Sequence, residues 1–236
     1  MATSKLRQMS KKKDQNDELI VDVEEVYSKT ETFIEENKNV VSIVVAVIAL
    51  AIGGFFAYQS FYLKPLQVEA QEAMFMAEKY FAEDSMNLAI YGDGAYAGFL
   101  EISEEYSGTK AANLSNYYLG IAFLRTGQYE AAIDALEDFD TDDVMVGNIA
   151  KGAIGDAYLE LGDLKKAASN YTKAARRSKN EFSTPLYLMR AAQVYEMMND
   201  YEEALSLYKE IKSDYRKSPE AAEVDKLIAR AEAFVQ

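Results

Sequence analysis

The chain has 236 residues, 49% of them apolar, with 12 glycines, 3 prolines and no His, Cys or Trp. The chain has 25 Lys and Arg against 39 Asp and Glu, so its net charge is −14. Most proteins that bind duplex nucleic acids carry a net positive charge, so we expect no nucleic-acid partner. The lack of Cys excludes disulfides, thiolate zinc sites and a lipidated cysteine. The lack of His removes the commonest general base and transition-metal ligand.

Residues 1–38 form a polar tail that changes from basic to acidic along its length. Residues 1–17 are lysine-rich and are predicted to be disordered. Within residues 22–36, Val26, Phe33 and Ile34 recur at helical spacing, which predicts a short amphipathic helix that rests on the membrane or on a partner. The six acidic residues of this stretch favour contact with a protein over contact with an anionic bilayer.

A long apolar run follows, without Asp, Glu, Lys or Arg from Asn39 to Leu63. The window from Val40 to Tyr62 would be roughly 35 Å long as a helix, enough to cross a hydrocarbon core of about 30 Å. It begins too late and runs too long for a cleavable signal peptide, and no small-residue cleavage site follows it. The pattern therefore predicts a transmembrane anchor over residues 39–63, with an aromatic belt at its C-terminal end formed by Phe55, Phe56, Tyr58, Phe61 and Tyr62.

The basic residues favour an N-terminus in the cytoplasm. Residues 1–38 hold 7 Lys and Arg, whereas the 20 residues after the span hold two, Lys64 and Lys79. Basic residues tend to stay on the cytoplasmic side, so residues 64–236 are expected on the far side. The bias is moderate, because two of the seven, Lys29 and Lys38, lie in the 20 residues before the span.

Three stretches, 117–136, 152–171 and 188–208, repeat one pattern of residue sizes at offsets of 35 and 37 residues. A small residue, an aromatic, a turn residue, a second small residue and a large residue recur in this order: Gly120, Phe123, Gly127, Ala132, Leu136; Gly155, Tyr158, Gly162, Ala167, Tyr171; and Ala192, Tyr195, Asn199, Ala204, Tyr208. The small residues predict closely packed antiparallel helices, and the turn residues suit a left-handed helix end. Asp163 and Asp200 follow their turns as candidate N-caps.

This pattern resembles the tetratricopeptide repeat (TPR), although Asn116 stands where the motif often has Trp. We predict repeats over about 113–147, 148–184 and 185–217, and a capping helix over 219–235 that begins after Pro219. Upstream, a helix over 66–82 paired with one over 96–106 would form a divergent repeat over about 66–108. The fold class is therefore all-α: one N-terminal transmembrane helix followed by a TPR-like α-solenoid.

The TPR resemblance implies a concave groove lined by the first helix of each repeat. The expected lining residues are Leu114, Tyr117, Ile121, Leu124, Arg125, Ile149, Asp156, Leu159, Glu160, Met189, Gln193, Glu196 and Met197. This mixed apolar and acidic surface suits a basic or apolar peptide.

Catalytic and metal-binding motifs are weak in this sequence. The acidic run 138–143 begins like a calcium loop but has Asp143 in place of the required Gly and Ile149 in place of Glu, so we interpret it as a solvated loop. The basic cluster Lys173, Arg176, Arg177 and Lys179 could bind an anion, but a charged helix C-terminus is the favoured interpretation. We expect no enzyme activity and no cofactor.

An acidic segment with Phe-Ile-Glu-Glu-Asn at residues 33–37, directly before one span and a TPR domain, resembles the YfgM-like ancillary subunits of the bacterial SecYEG translocon. The resemblance implies an inner-membrane protein with a periplasmic TPR domain that works beside a membrane-anchored chaperone of the PpiD type. A general envelope scaffold, for outer-membrane assembly or cell division, would have the same sequence features.

Overall fold

The computed structural model describes residue 31 and residues 33–235. The chain divides into two compact units, one through Phe61 and one from Tyr62. Within the described residues, all regular structure is helical. The predicted disorder of residues 1–17 lies outside the described part, as does most of the amphipathic helix predicted over 22–36, of which residues 33–36 are helical.

The first unit contains a long apolar helix, α1 (Lys38–Tyr58), none of whose side chains is buried. A π-helical turn, Gln59–Leu63, follows it. The helical run Lys38–Ala82 includes an 18-residue window with a mean hydropathy of 2.8, all of it unburied. By length and composition this is the one helix in the described part of the chain that could cross a membrane.

The second unit is an array of helices in which each helix packs against the next. In order they are α2 (Lys64–Ala82), α3 (Met86–Tyr91), α4 (Phe99–Glu105), α5 (Lys110–Arg125), α6 (Tyr129–Glu137), α7 (Val144–Glu160), α8 (Leu164–Arg177), α9 (Ser183–Met197), α10 (Tyr201–Asp214), a 3-10 turn (Glu220–Ala222) and α11 (Val224–Glu232). Three helix pairs, α5/α6, α7/α8 and α9/α10, lie where the repeats were predicted. Helix α7 also contacts α5 and α9, so the first helices of the pairs lie side by side.

Small and large motif positions meet inside each of the first two pairs. A Cβ atom added at Gly120 would lie 2.2 Å from Leu136 Cγ, and one at Gly155 would lie 2.7 Å from Tyr171 Cδ1. Leu136 and Tyr171 are each 1% exposed. Close approach of the paired helices therefore depends on the small residue of one helix receiving the large residue of the other.

The predicted turn chemistry is confirmed. Gly127, Gly162 and Asn199 have φ angles of +77°, +76° and +59°, the left-handed conformation that ends a helix. In all three repeats the next amide bonds back into the last turn, as when Asp163 N donates to Tyr158 O at 2.9 Å. The Asp163 and Asp200 carboxylates then accept from Lys166 N at 3.1 Å and Glu203 N at 3.3 Å, which caps α8 and α10.

The divergent repeat differs from the prediction, because α3 rather than the helix over 96–106 directly follows α2. Asp84, with φ +59°, and the fully buried Ala89 both stand 43 residues before their counterparts Gly127 and Ala132. The second helix then stops: the Asp93 carboxylate accepts from Ala95 N at 2.9 Å and Tyr96 N at 2.8 Å and forms a local turn. Within the predicted helix over 96–106, the structure forms only the shorter helix α4.

The C-terminal cap also differs from the prediction of one continuous helix over 219–235. A 3-10 turn at Glu220–Ala222 precedes α11, which begins at Val224. Val224 and Ala231 are fully buried, and Ile228 is 9% exposed. Helix α11 therefore covers the apolar face of α10 that a further repeat would otherwise occupy.

Candidate partner-binding groove

The structure places the predicted groove residues on α5, α7 and α9, the adjacent first helices of the three repeats. Their exposure varies. Leu114 and Ile149 are each 36% exposed and Met197 is 58% exposed, whereas Met189 is 8% exposed and packs within the core. Tyr117, Ile121, Leu124 and Leu159 are half-buried. The groove that these residues could form is thus apolar along α5 and more polar along α9.

An aliphatic row runs across the three helices at one motif position. Leu114, Ile149 and Leu186 each stand six residues before the small residue of their repeat, and each is 36% or 37% exposed. The sequence analysis missed Leu186, although the same offset from Ala192 would have found it. Three aliphatic side chains at equivalent positions present a repeated apolar contact to solvent.

Aromatic packing fixes the centre of the α5 surface. The Tyr117 ring lies 5.9 Å from that of Tyr118 and 5.3 Å from that of Phe139. Burial raises the pKa of the Tyr117 phenol above its ordinary value. The neutral phenol can act as a hydrogen-bond donor.

The Asp156 carboxylate is bound by two side chains of the same protein. Its carboxylate accepts from Tyr171 Oη at 2.6 Å and forms an ion pair with Arg190 of α9. The Arg190 guanidinium also lies 5.9 Å from the centre of the Tyr171 ring. Burial, with the hydrogen bond to Asp156 second, strongly raises the pKa of Tyr171. Because Asp156 already has these partners, its main contact joins the second and third repeats.

Other predicted groove charges also have partners within the chain. Glu196 pairs with Arg230 of α11. Arg125 lies 3.3 Å from the Asp84 carboxylate and 5.2 Å from the centre of the Phe81 ring. Glu160 accepts a 3.4 Å hydrogen bond from Tyr129 Oη. The sequence could not predict these pairs, because the partners lie 31 to 41 residues away, on neighbouring helices or, for Asp84, in the turn after α2.

Part of the acidic run 138–143 and two arginines of the basic cluster, Arg176 and Arg177, link neighbouring repeats. Asp143 caps α7 by accepting from Met145 N and Val146 N, each at 2.8 Å. Arg177 donates to the main-chain oxygens of Thr141 and Asp143, and Arg176 pairs with Glu210 of α10. Within the described residues, no group of three or more acidic side chains is arranged to hold a metal ion.

Comparison with known proteins agrees with this geometry. No curated protein matches the chain. Two family models, each described as the tetratricopeptide repeat, match residues 115–141 and 153–232. The matched residues include all of α6, α8, α9 and α10 and parts of α5 and α7. The chain therefore contains tetratricopeptide repeats, and these repeats indicate a role in protein–protein interaction.

Proposed function

We propose that this protein is a membrane-anchored TPR interaction protein that serves as an ancillary subunit of the Sec translocon. In this proposal α1 anchors the chain, and the repeats work in the periplasm beside a membrane-anchored chaperone of the PpiD type. The observation that carries the proposal is the unburied apolar helix α1, which precedes a set of tetratricopeptide repeats.

The anchor is argued from exposure and composition. Ile43, Leu50 and Phe56 expose 63%, 76% and 60% of their surface, and α1 has no polar face. Each fully exposed large apolar side chain forgoes roughly 1.5–3 kcal/mol of burial, so a helix of this kind is stable when lipid covers it. Its length suits one crossing with some tilt.

The partner of the repeats is argued from the groove. Its aliphatic row, Leu114, Ile149 and Leu186, can receive apolar side chains, while Glu160 is exposed at the C-terminal end of α7. An extended or helical segment with apolar and basic residues would match this surface. Secretory chains and the chaperones that receive them offer such segments.

A topology experiment tests the anchor first, because the chain has no cysteine and each introduced thiol is unique. We expect a membrane-impermeant maleimide to label Ser206→Cys in cells with a permeabilised outer membrane, and to label Ser10→Cys only after lysis. The positive-inside bias of residues 1–38 is the physical reason. The reverse labelling pattern would place the repeats in the cytoplasm and end the translocon proposal.

Site-specific photo-crosslinking then tests the partners in native membranes. A photoreactive residue at Phe33 is expected to crosslink to a translocon subunit, and one at Tyr117 or Met197 to a periplasmic chaperone. Glu223, exposed on the last turn, is the matched control position. Crosslinks to cell-division or outer-membrane assembly proteins alone would replace this proposal with a general envelope scaffold.

A further inference from the structure

A second surface lies away from the groove, between helix α4 of the divergent repeat and the second helix of the pair α5/α6. A cleft of about 670 Å³ opens between α4 and α6, with α5 as its floor. We name it the α4–α6 cleft. Its floor is apolar, formed by Ala112, Leu119 and Phe123, which are 3%, 2% and 7% exposed. Its walls are Leu100, Ser103, Glu104 and Ser107 of α4 and the turn after it, and Ala131, Asp134, Ala135 and Asp138 of α6 and its C-cap.

The cleft exists because one motif position carries a small polar residue. Asn116 lies in it, half-buried, and its side chain makes no hydrogen bond with the residues that the structure describes. Leu188, at the equivalent position of the third repeat, is fully buried and fills the corresponding space. A large side chain at this position would occupy the cleft from within, so its present volume is free for a side chain from outside.

The walls are shaped for a helix. Leu100, Ser103 and Glu104 lie on one face of α4, and Ser107 follows in the turn after it. Ala131, Asp134 and Ala135 lie on one face of α6, and Asp138 is its C-cap. The middle of each wall carries Ser or Ala, which lets another helix approach closely. Volumes in this range accommodate ligands and anchoring side chains.

The charge of the cleft selects the partner. Glu104, Asp134 and Asp138 are exposed at its edges, and none of its lining residues, all of them in the described range, is Lys or Arg. Glu104 lies in the last turn of α4 and Asp138 is the C-cap of α6. Carboxylates at helix C-termini are unfavourable because the helix dipole is negative there, and a cation from a partner relieves this.

We infer that the α4–α6 cleft binds an amphipathic helix of a partner protein, with a large apolar side chain inserted beside Asn116 and flanking Lys or Arg residues against Glu104, Asp134 and Asp138. This site is separate from the groove of the proposed function. It would let the protein hold one partner in the α4–α6 cleft while the groove engages another.

The test uses the full chain in phosphatidylcholine nanodiscs with bimane attached to Ser107→Cys in the cleft. The probe is an 18-residue helical peptide of Leu and Lys with one Trp on its apolar face, and quenching of bimane by that Trp reports binding. The same label at Ser206→Cys on α10 and a Leu/Glu peptide with the same Trp are the controls, and empty nanodiscs correct for binding to lipid. We expect saturable quenching at Ser107→Cys with the Lys peptide alone.

Two sets of variants locate the contact. Asn116→Leu or Ala135→Leu fills the cleft without adding a second Trp and should weaken binding at least about tenfold, with circular dichroism to confirm the fold of each. The triple change E104Q, D134N and D138N should lower the affinity and the salt dependence, whereas E181Q, E202Q and E223Q remove the same charge elsewhere and should leave the affinity unchanged. Equal binding of the Leu/Glu peptide, quenching that survives both cleft-filling variants, or equal effects of the two triple changes would overturn the inference.

Discussion

At the scale of single residues, glycines set the distance between paired helices. Gly155 receives the Tyr171 ring at a separation that leaves no room for a Cβ atom. We expect Gly155→Ala to lower the free energy of unfolding by about 1–3 kcal/mol through overpacking, although alanine is the better helix former. Chemical denaturation of the full chain, monitored by circular dichroism, measures the change.

Gly53→Ala is the matched control for that substitution. Gly53 is also a helical glycine, but a Cβ added there would meet nothing within 4 Å. We expect Gly53→Ala to leave the unfolding of the repeats unchanged. A loss of stability at Gly53 as large as that at Gly155, or none at Gly155, would show that the contact with Tyr171 does not set the spacing.

Buried tyrosines predict a loss of stability at high pH. Burial raises the pKa of Tyr187 from 10.0 to about 12, so the folded protein keeps this phenol protonated when the unfolded chain has lost the proton. The resulting stabilisation is complete below the unfolded pKa of 10.0 and disappears as the pH rises towards about 12.

The measurement is the thermal midpoint of the full chain between about pH 9 and 12, a range that brackets the ordinary tyrosine pKa. Tyr187→Phe cannot ionise and keeps the ring stacked near Tyr171, where the ring centres are 6.4 Å apart. We expect its midpoint to fall less steeply with pH than that of the unchanged chain. Parallel curves would mean that Tyr187 does not carry the alkaline transition.

Residue types in sequence predicted the small and large motif positions, the left-handed turns and the Asp caps, because each depends on neighbours within one helix pair. The same reasoning could not predict that Asp156 would be paired with Arg190. That ion pair depends on how one repeat stacks on the next, which residue size does not specify. Several of the charges predicted to line the groove therefore have partners within the chain.

At the scale of elements, ion pairs between repeats add to apolar stacking. Asp156 with Arg190, Arg176 with Glu210, and Glu196 with Arg230 each join residues 34 positions apart, about one repeat. Such pairs hold neighbouring helix pairs in register, since nearest-neighbour contacts carry most of the stability of a solenoid.

A double-mutant cycle tests the pair between Asp156 and Arg190. The side chain of Asp156 is 33% exposed and that of Arg190 is 41% exposed, so solvent screening limits the coupling to about 1 kcal/mol. Asp156→Asn, Arg190→Gln and the double variant, unfolded by urea, give the coupling energy. Lys166 with Asp163, an exposed pair within one helix turn, is the comparison and should show a smaller coupling.

The divergent repeat shows where element prediction failed. The sequence predicted a helix over 96–106 as the direct partner of α2. The structure forms α3 first and interrupts it at Gly92, whose φ is +77°. A Cβ at Gly98 would lie 2.3 Å from Ile90 O, so two chain segments cross closely at this interruption. Such a crossing depends on contacts between segments, which periodicity within one helix does not report.

At the scale of the whole molecule, the two units differ in how far their apolar side chains are buried. Unit one contains α1, which has no buried side chain, whereas the second unit has continuous clusters of buried residues from Ala70 to Ile228. The charge-free run of the sequence ends at Leu63, and the boundary between the two units lies between Phe61 and Tyr62. The array of helices was predictable from the repeated motif.

This division predicts how a truncated protein behaves. A fragment of residues 62–236 retains all residues of the three buried clusters and lacks α1. We expect it to be soluble without detergent and to unfold cooperatively, with a thermal midpoint close to that of the repeats in the full chain, because apolar burial dominates stability. Circular dichroism of both proteins gives the comparison. A fragment that aggregates or melts much earlier would show that the repeats draw stability from the first 61 residues, and α1 would then have a structural role beyond anchoring.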